Sequence, residues 1–208
     1  GDYRAYDLTY QKPVQRAGYA VLGRLLDHWS GDEFDETAWK MHVKHQTEAQ
    51  IQFGWSLVSV VAAHFSGLFW TTIMNILTND INSRMAFSLI TDHDYDKHAR
   101  SQFHGDDNRH KFSREAISAG VTPKRFAEAM AQIGQTYTSD VKGEVLTDSF
   151  KPWTSCTFLA AYPVKTEWGW TGALRETTLL DAPQWKRPHE SEAETVNQML
   201  DLCSQWDE

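Results

Sequence analysis

Residues 100–112 read RSQFHGDDNRHKF, two short extended runs on either side of a turn built from Gly105, Asp106 and Asp107. Glycine tolerates the backbone angles a tight reversal needs, and the runs Arg100–His104 and Asn108–Phe112 are each long enough to be one arm of a β-hairpin. Only Phe103 and Phe112 are clearly apolar in these arms, so the apolar face of the hairpin is thin. Most acidic turns are simply solvated. Two adjacent carboxylates at a hairpin tip can nevertheless aim at one point, and a third from a neighbouring strand would complete a set of hard oxygen ligands for divalent cations. Asp2, in an extended stretch near the start of the chain, is the candidate third. Such a trio suits in-line phosphoryl transfer by two ions ~3.5–4 Å apart, one activating the attacking oxygen and the other stabilising the leaving one.

Upstream, Thr91–His98 is charged and reads as a loop, its Asp92, His93, Asp94, Asp96 and His98 as solvated side chains. Before it, Leu68–Ile90 contains no Gly or Pro and predicts one long helix whose N-terminus follows Ser66 and Gly67. Thr71, Asn75, Thr78 and Asn82 recur there at helical spacing, with Phe69, Ile73, Ile76 and Leu77 on the opposite face. An uncharged hydrogen-bonding stripe is unusual on a solvent face, so it either meets a ligand or satisfies neighbouring groups of the protein. Nearer the start, Val14, Ala17, Val21 and Leu25 space a helix over 11–29, and 36–47 also reads as a helix. Gln50–Ala63 predicts two short extended pieces around Gly54. His42 and His45 read as a surface face, and Trp29 and Trp55 as packing residues.

Downstream, Thr122 as N-cap, Pro123 at the first helical position and Gly134 as terminator frame a helix with Phe126, Ala129, Met130 and Ile133 on one face. Residues 154–168 alternate as a hairpin around Tyr162 and Pro163, and 190–206 predicts a last amphipathic helix. Together these elements give an α+β fold, an antiparallel sheet backed by helices.

Bulk properties set bounds on this picture. The chain has 208 residues, 41% of them hydrophobic, enough for an ordinary core. Its longest apolar run is far below the roughly 20 residues of a membrane span, and no basic-then-apolar leader opens it. With only Cys156 and Cys203, a disulfide framework is excluded and a reducing compartment is the expectation. A net charge of −8 counts against a nucleic-acid binder unless some of the acids are metal ligands and the basic surface lies elsewhere. The opening Gly1, with Asp2 already in a strand, reads as a cut within a longer chain.

Six segments carry a family resemblance: GDYRAYD at 1–7, SGLFWTTIMN at 66–75, GDDN at 105–108, QTYTSDVKGE at 135–144, TFLAAYPV at 157–164 and ALRETTLLDAPQWK at 173–186. In order and spacing, the first five resemble palm motifs A to E of picornavirus-like RNA-dependent RNA polymerases, and the last is similar to the start of the thumb in insect-virus members. Where that family has a basic residue after Phe-Leu in motif E, this chain has Ala160 and Ala161, with Lys165 as a substitute.

The resemblance implies a right-hand polymerase fragment. Residues 1–160 would be palm, with 28–64 partly a fingers-proximal insertion, and 161–208 would lead into the thumb. It implies Asp2, Asp106 and Asp107 as ligands of two Mg2+ ions, with Mn2+ as a substitute, and Asp7 with Asn75 as readers of the ribose hydroxyl. Ser66, Gly67 and Thr71 would contact substrate. Lys142 would be the general acid that protonates pyrophosphate. Its implied partners are an RNA template-primer, nucleoside triphosphates and the missing fingers and thumb of the same polyprotein, in a replication complex of the host cytoplasm. A reverse transcriptase-like palm and a non-catalytic palm fragment are the rival readings.

Overall fold

The computed structural model describes residues 2–4, 6, 9–61, 70–141, 143–159, 161–174, 191, 193, 194, 196, 197 and 200. Two compact units divide between Ser149 and Phe150. In the first, strand β1 (Asp2–Tyr3) leads to helix α1 (Lys12–Ser30), helix α2 (Glu36–Thr47) and the hairpin β2 (Glu48–Phe53) and β3 (Ser56–Val61). Helix α3 (Thr71–Ser88), a single helical turn α4 (Tyr95–His98), the hairpin β4 (Ala99–His104) and β5 (Asp107–Phe112), short α5 (Arg114–Ser118), α6 (Pro123–Gln132) and β6 (Tyr137–Thr138) complete it. The second unit is built on the hairpin β7 (Ala161–Thr166) and β8 (Gly169–Leu174). The fold is α+β with small antiparallel sheets: β1 pairs with β6, β2 with β3, β4 with β5 and β7 with β8. Among the described residues β1 therefore packs beside β5 without joining its hydrogen-bonded ladder.

Local chemistry accounts for the element limits. Asp35 caps α2, its Oδ1 accepting from the amides of Thr37 and Ala38 at 2.9 Å each. Thr122 caps α6 by accepting from the Arg125 amide at 3.2 Å. The Ser191 and Glu194 side chains accept from each other's amides as a capping box, but most of the expected 190–206 helix lies outside the described residues. The long central helix begins at Thr71 rather than Leu68 and ends at Ser88, with residues 62–69 outside the described set.

Several expectations are corrected. The loop at Thr91–His98 closes on α4, capped by Asp94, and Arg84 grips Asp96 with two nitrogens at 2.8 and 2.9 Å while pairing with Asp80. The second-unit hairpin turns at Glu167–Trp168, so Tyr162 and Pro163 lie within its first strand. Trp29 is 71% exposed and Trp55 fully so, so neither belongs to the core of the described structure. His45 is exposed as expected, while His42 is half-buried, stacking on Trp39 at 5.4 Å beside Tyr19. On α1 the buried seam is Val14, Gln15, Gly18, Tyr19, Leu22 and Gly23, which leaves Ala17, Val21 and Leu25 exposed.

The reason for that seam is the pair of glycines. A Cβ at Gly18 would lie 2.9 Å from Met74 Cε and 3.3 Å from Thr78 Cγ2 of α3, and one at Gly23 would run into Trp39 Nε1 of α2. Both helices approach α1 over bare backbone. The main core lies between α3, α6 and the β4–β5 hairpin, where Phe87, Tyr95, Phe126 and Met130 pack with tyrosines 3, 6 and 10.

Candidate active site

The β4–β5 hairpin is where sequence and geometry meet. Its register pairs His104 with Asp107, so the turn is two residues, Gly105 and Asp106, and Asp107 is the first residue of β5 rather than part of the turn. Gly105 has φ 60 and Asp106 a negative φ, the pattern of a II′ turn, which matches the right-handed twist of the strands it joins. Alternation then sorts the side chains. Asn108, His110 and Phe112 face the helices, while Asp107 takes the opposite face. In β1, likewise, Tyr3 is buried toward α3, and Asp2 takes the other side.

The two strands share an anchor. Tyr3 OH donates to Asn79 Oδ1 at 3.0 Å, and Asn108 Nδ2 donates to the same oxygen at 3.4 Å. With Tyr3 and Asn108 pointing at one residue of α3, Asp2 and Asp107 share the outer face, beside Asp106 at the tip. Burial, the charge of Asp106 and the charge of Asp2, in that order, raise the pKa of Asp107 above the usual aspartate value. Among the described residues no three His, Cys, Asp or Glu side chains are gathered into an ion-holding group. The crowding of negative charge at Asp107 is nonetheless what a divalent cation would relieve, and the donors are all hard carboxylate oxygens. The residues fit such an ion.

A titration follows from that crowding. Because Asp107 keeps its proton to higher pH in the folded chain than when unfolded, ionising it costs stability as pH rises through the folded pKa. Below the unfolded aspartate value of about 3.9, wild type and Asp107→Asn should unfold alike, and above it the variant should melt higher in EDTA. Scanning fluorimetry across that range reads the difference. A variant that melts no higher than wild type at neutral pH would remove the crowding argument.

The polar stripe of α3 is buried rather than open. Asn75, Thr78, Asn79, Asn82 and Ser83 form its inner face, while Ile73 is exposed. Tyr10 OH donates to Asn75 Oδ1, and Tyr6 OH and Thr78 Oγ1 lie 2.8 Å apart. Thr78 Oγ1 also donates back to Met74 O at 2.7 Å. Much of the stripe thus serves neighbouring protein groups, which one of the two sequence readings allowed. Burial raises the pKa of Tyr6, so its hydroxyl stays a donor. Thr71 opens the helix one turn before Asn75. Asp7, Ser66, Gly67 and Lys142 lie outside the described residues.

Asn79 escaped the sequence reading. It donates to the carbonyls of Gly105 and Asp106 at 3.3 and 3.0 Å, tying the turn to the helix. The available signal was a second uncharged amide four residues after Asn75, on the same face.

A model of the viral RNA-dependent RNA polymerase family matches residues 1–207. The chain belongs to that family. No individually curated protein matches it significantly. Membership makes this a chain of RNA-directed RNA synthesis, a nucleotidyltransferase family that binds RNA and nucleoside triphosphates and uses divalent metals. Among the described residues of the polymerase no helix is long and apolar enough to cross a membrane.

Proposed function

We propose that this chain is the palm of a picornavirus-like polymerase, transferring a nucleoside monophosphate from a nucleoside triphosphate to an RNA 3′-hydroxyl during viral genome replication. The observation that carries this reading is the shared outer face of Asp2 and Asp107 beside the Asp106 turn, where like charges already act on one another. Asp2, Asp106 and Asp107 would hold two Mg2+ ions, or Mn2+ in their place. When bound, the ions supply charge neutralisation for the attacking and leaving oxygens.

Asn75 would read the sugar together with Asp7. Its Oδ1 is engaged by Tyr10, which leaves Nδ2 as the end of the amide that can donate to a 2′-hydroxyl. A site built to bond a hydroxyl leaves its own groups unpaired when a deoxy substrate enters, and that penalty discriminates. Ser66, Gly67 and Thr71 would contact substrate, and Lys142 would deliver the proton to pyrophosphate. Residues 1–160 would then be palm, with the fingers-proximal insertion within 28–64, and 161–208 would enter the thumb. The remaining fingers and thumb would come from the same polyprotein, in a cytoplasmic replication complex.

The test is primer extension by the complete polymerase with ribo- and deoxynucleotides. Wild type should strongly prefer ribonucleotides, and Asn75→Ala should lose about 1–3 kcal/mol of that preference, roughly five- to 150-fold. A wild-type preference for deoxynucleotides would favour a reverse-transcribing palm and sink the proposal.

A further inference from the structure

Asn79 is fully buried in the middle of α3, and its carboxamide joins three elements. Nδ2 donates to Gly105 O at 3.3 Å and Asp106 O at 3.0 Å, and Oδ1 accepts from Tyr3 OH at 3.0 Å and Asn108 Nδ2 at 3.4 Å. Only a carboxamide offers paired donors and a two-lone-pair acceptor within one neutral group. The turn needs such a partner. Gly105 and Asp106 are the central residues of a two-residue loop, so their carbonyls stand outside the β4–β5 ladder. Packing does not restrain the turn either, since a Cβ built at Gly105 would meet nothing within 4 Å.

We propose that Asn79 is a positioning residue for the metal-binding carboxylates, locking the Gly105–Asp106 turn to strand β1 through one side chain so that Asp2 and Asp106 keep a fixed separation. This inference rests on the polymerase reading of the site. A purely structural role would cost stability alone. A positioning role also weakens the grip on the ion, because groups behind a ligand set its orientation.

The experiment uses the complete polymerase and Mn2+ as the probe, with bound ion measured by electron paramagnetic resonance of the free ion. Asn79→Leu, similar in volume but without the four bonds, should weaken Mn2+ binding roughly tenfold and lower kcat comparably. The KM for nucleotide and the affinity for RNA should stay near wild type. Asn79→Ala carries the same expectation should the leucine variant fail to fold. Ser83→Ala is the control: Ser83 is equally buried one turn on, and its hydroxyl donates to Asn79 O at 2.8 Å within the helix. It should cost stability but leave Mn2+ affinity unchanged. Asp106→Asn, run in parallel, separates the two levels of the argument. If it binds Mn2+ as tightly as wild type, the site itself is misassigned and the positioning role falls with it. If it loses the ion while a folded Asn79 variant keeps both affinity and kcat, the positioning role alone is refuted. Loss of Mn2+ affinity by Ser83→Ala as large as that of Asn79→Leu would also refute it, by reducing the effect to general destabilisation.

Discussion

Asp106→Asn should lower kcat of the complete polymerase by on the order of 10³-fold or more, since losing even one neutral transition-state donor costs about 10²–10³ and this change removes a full charge. Asparagine keeps the shape of the side chain and the backbone carbonyl that Asn79 holds, so the turn should persist. The loss therefore falls on the chemical step, with kcat and kcat/KM dropping together and RNA affinity largely unchanged. Single-turnover incorporation with preformed RNA complexes measures this directly. A variant working at near-normal rate would strip Asp106 of the metal role proposed for it.

The largest stability effect is expected at Phe126. From α6 its ring reaches His110, Phe112 and Tyr137 at centroid distances of 5.1, 5.7 and 5.5 Å, so it fills the space under the inner face of the β4–β5 hairpin. Phe126→Ala should cost about 3–5 kcal/mol, the sum of lost burial and the cavity left behind. In urea the midpoint should fall at unchanged slope. His110 sharpens the test. Burial lowers its pKa from 6.5 to about 3, so it remains neutral, and its Nδ1 meets Ser101 Oγ at 2.7 Å. A depressed histidine contributes stability above its unfolded pKa and loses it as pH falls from about 6.5 toward the folded value. In Phe126→Ala, water entering the cavity should raise the His110 pKa and flatten that acid loss. An alanine variant as stable as wild type would mean that the hairpin is not supported from α6.

Where chain chemistry acts locally, the sequence was a good guide. Thr122 and Pro123 started α6 and Gly134 ended it, and Gly105 marked the reversal of the hairpin. Partners distant in sequence were harder to see. Alternation alone could not tell that Asp107 would open β5 instead of completing the turn, because that depends on the register His104 to Asp107. On α1, apolar spacing favoured Val21 and Leu25, whereas the crossing of α2 and α3 selected the face with the least side chain, at Gly18 and Gly23. Isolated glycines inside a helix were the overlooked hint of close packing. The α3 stripe was visible as uncharged and periodic, but its hydrogen-bond partners come from tyrosines 3, 6 and 10, scores of residues away. Asp2, Asp106 and Asp107 stand out as candidates by residue type and motif spacing, whereas Asn79 acts through the carbonyls of Gly105 and Asp106, and its signal was only a second amide four residues after Asn75.

The bare backbone at Gly18 has a mechanical corollary. With no side chain as a cushion, α1 cannot slide or roll against α3 without driving Met74 into its main chain. Tyr10 sits two residues ahead of α1, and its hydroxyl ends on Asn75, one residue after Met74. The same inter-helix seat therefore sets where that phenol lands, so enlarging residue 18 should act like a shim, displacing the tyrosine from the amide it steadies and, on the sugar-reading role proposed for Asn75, blurring that choice from a distance.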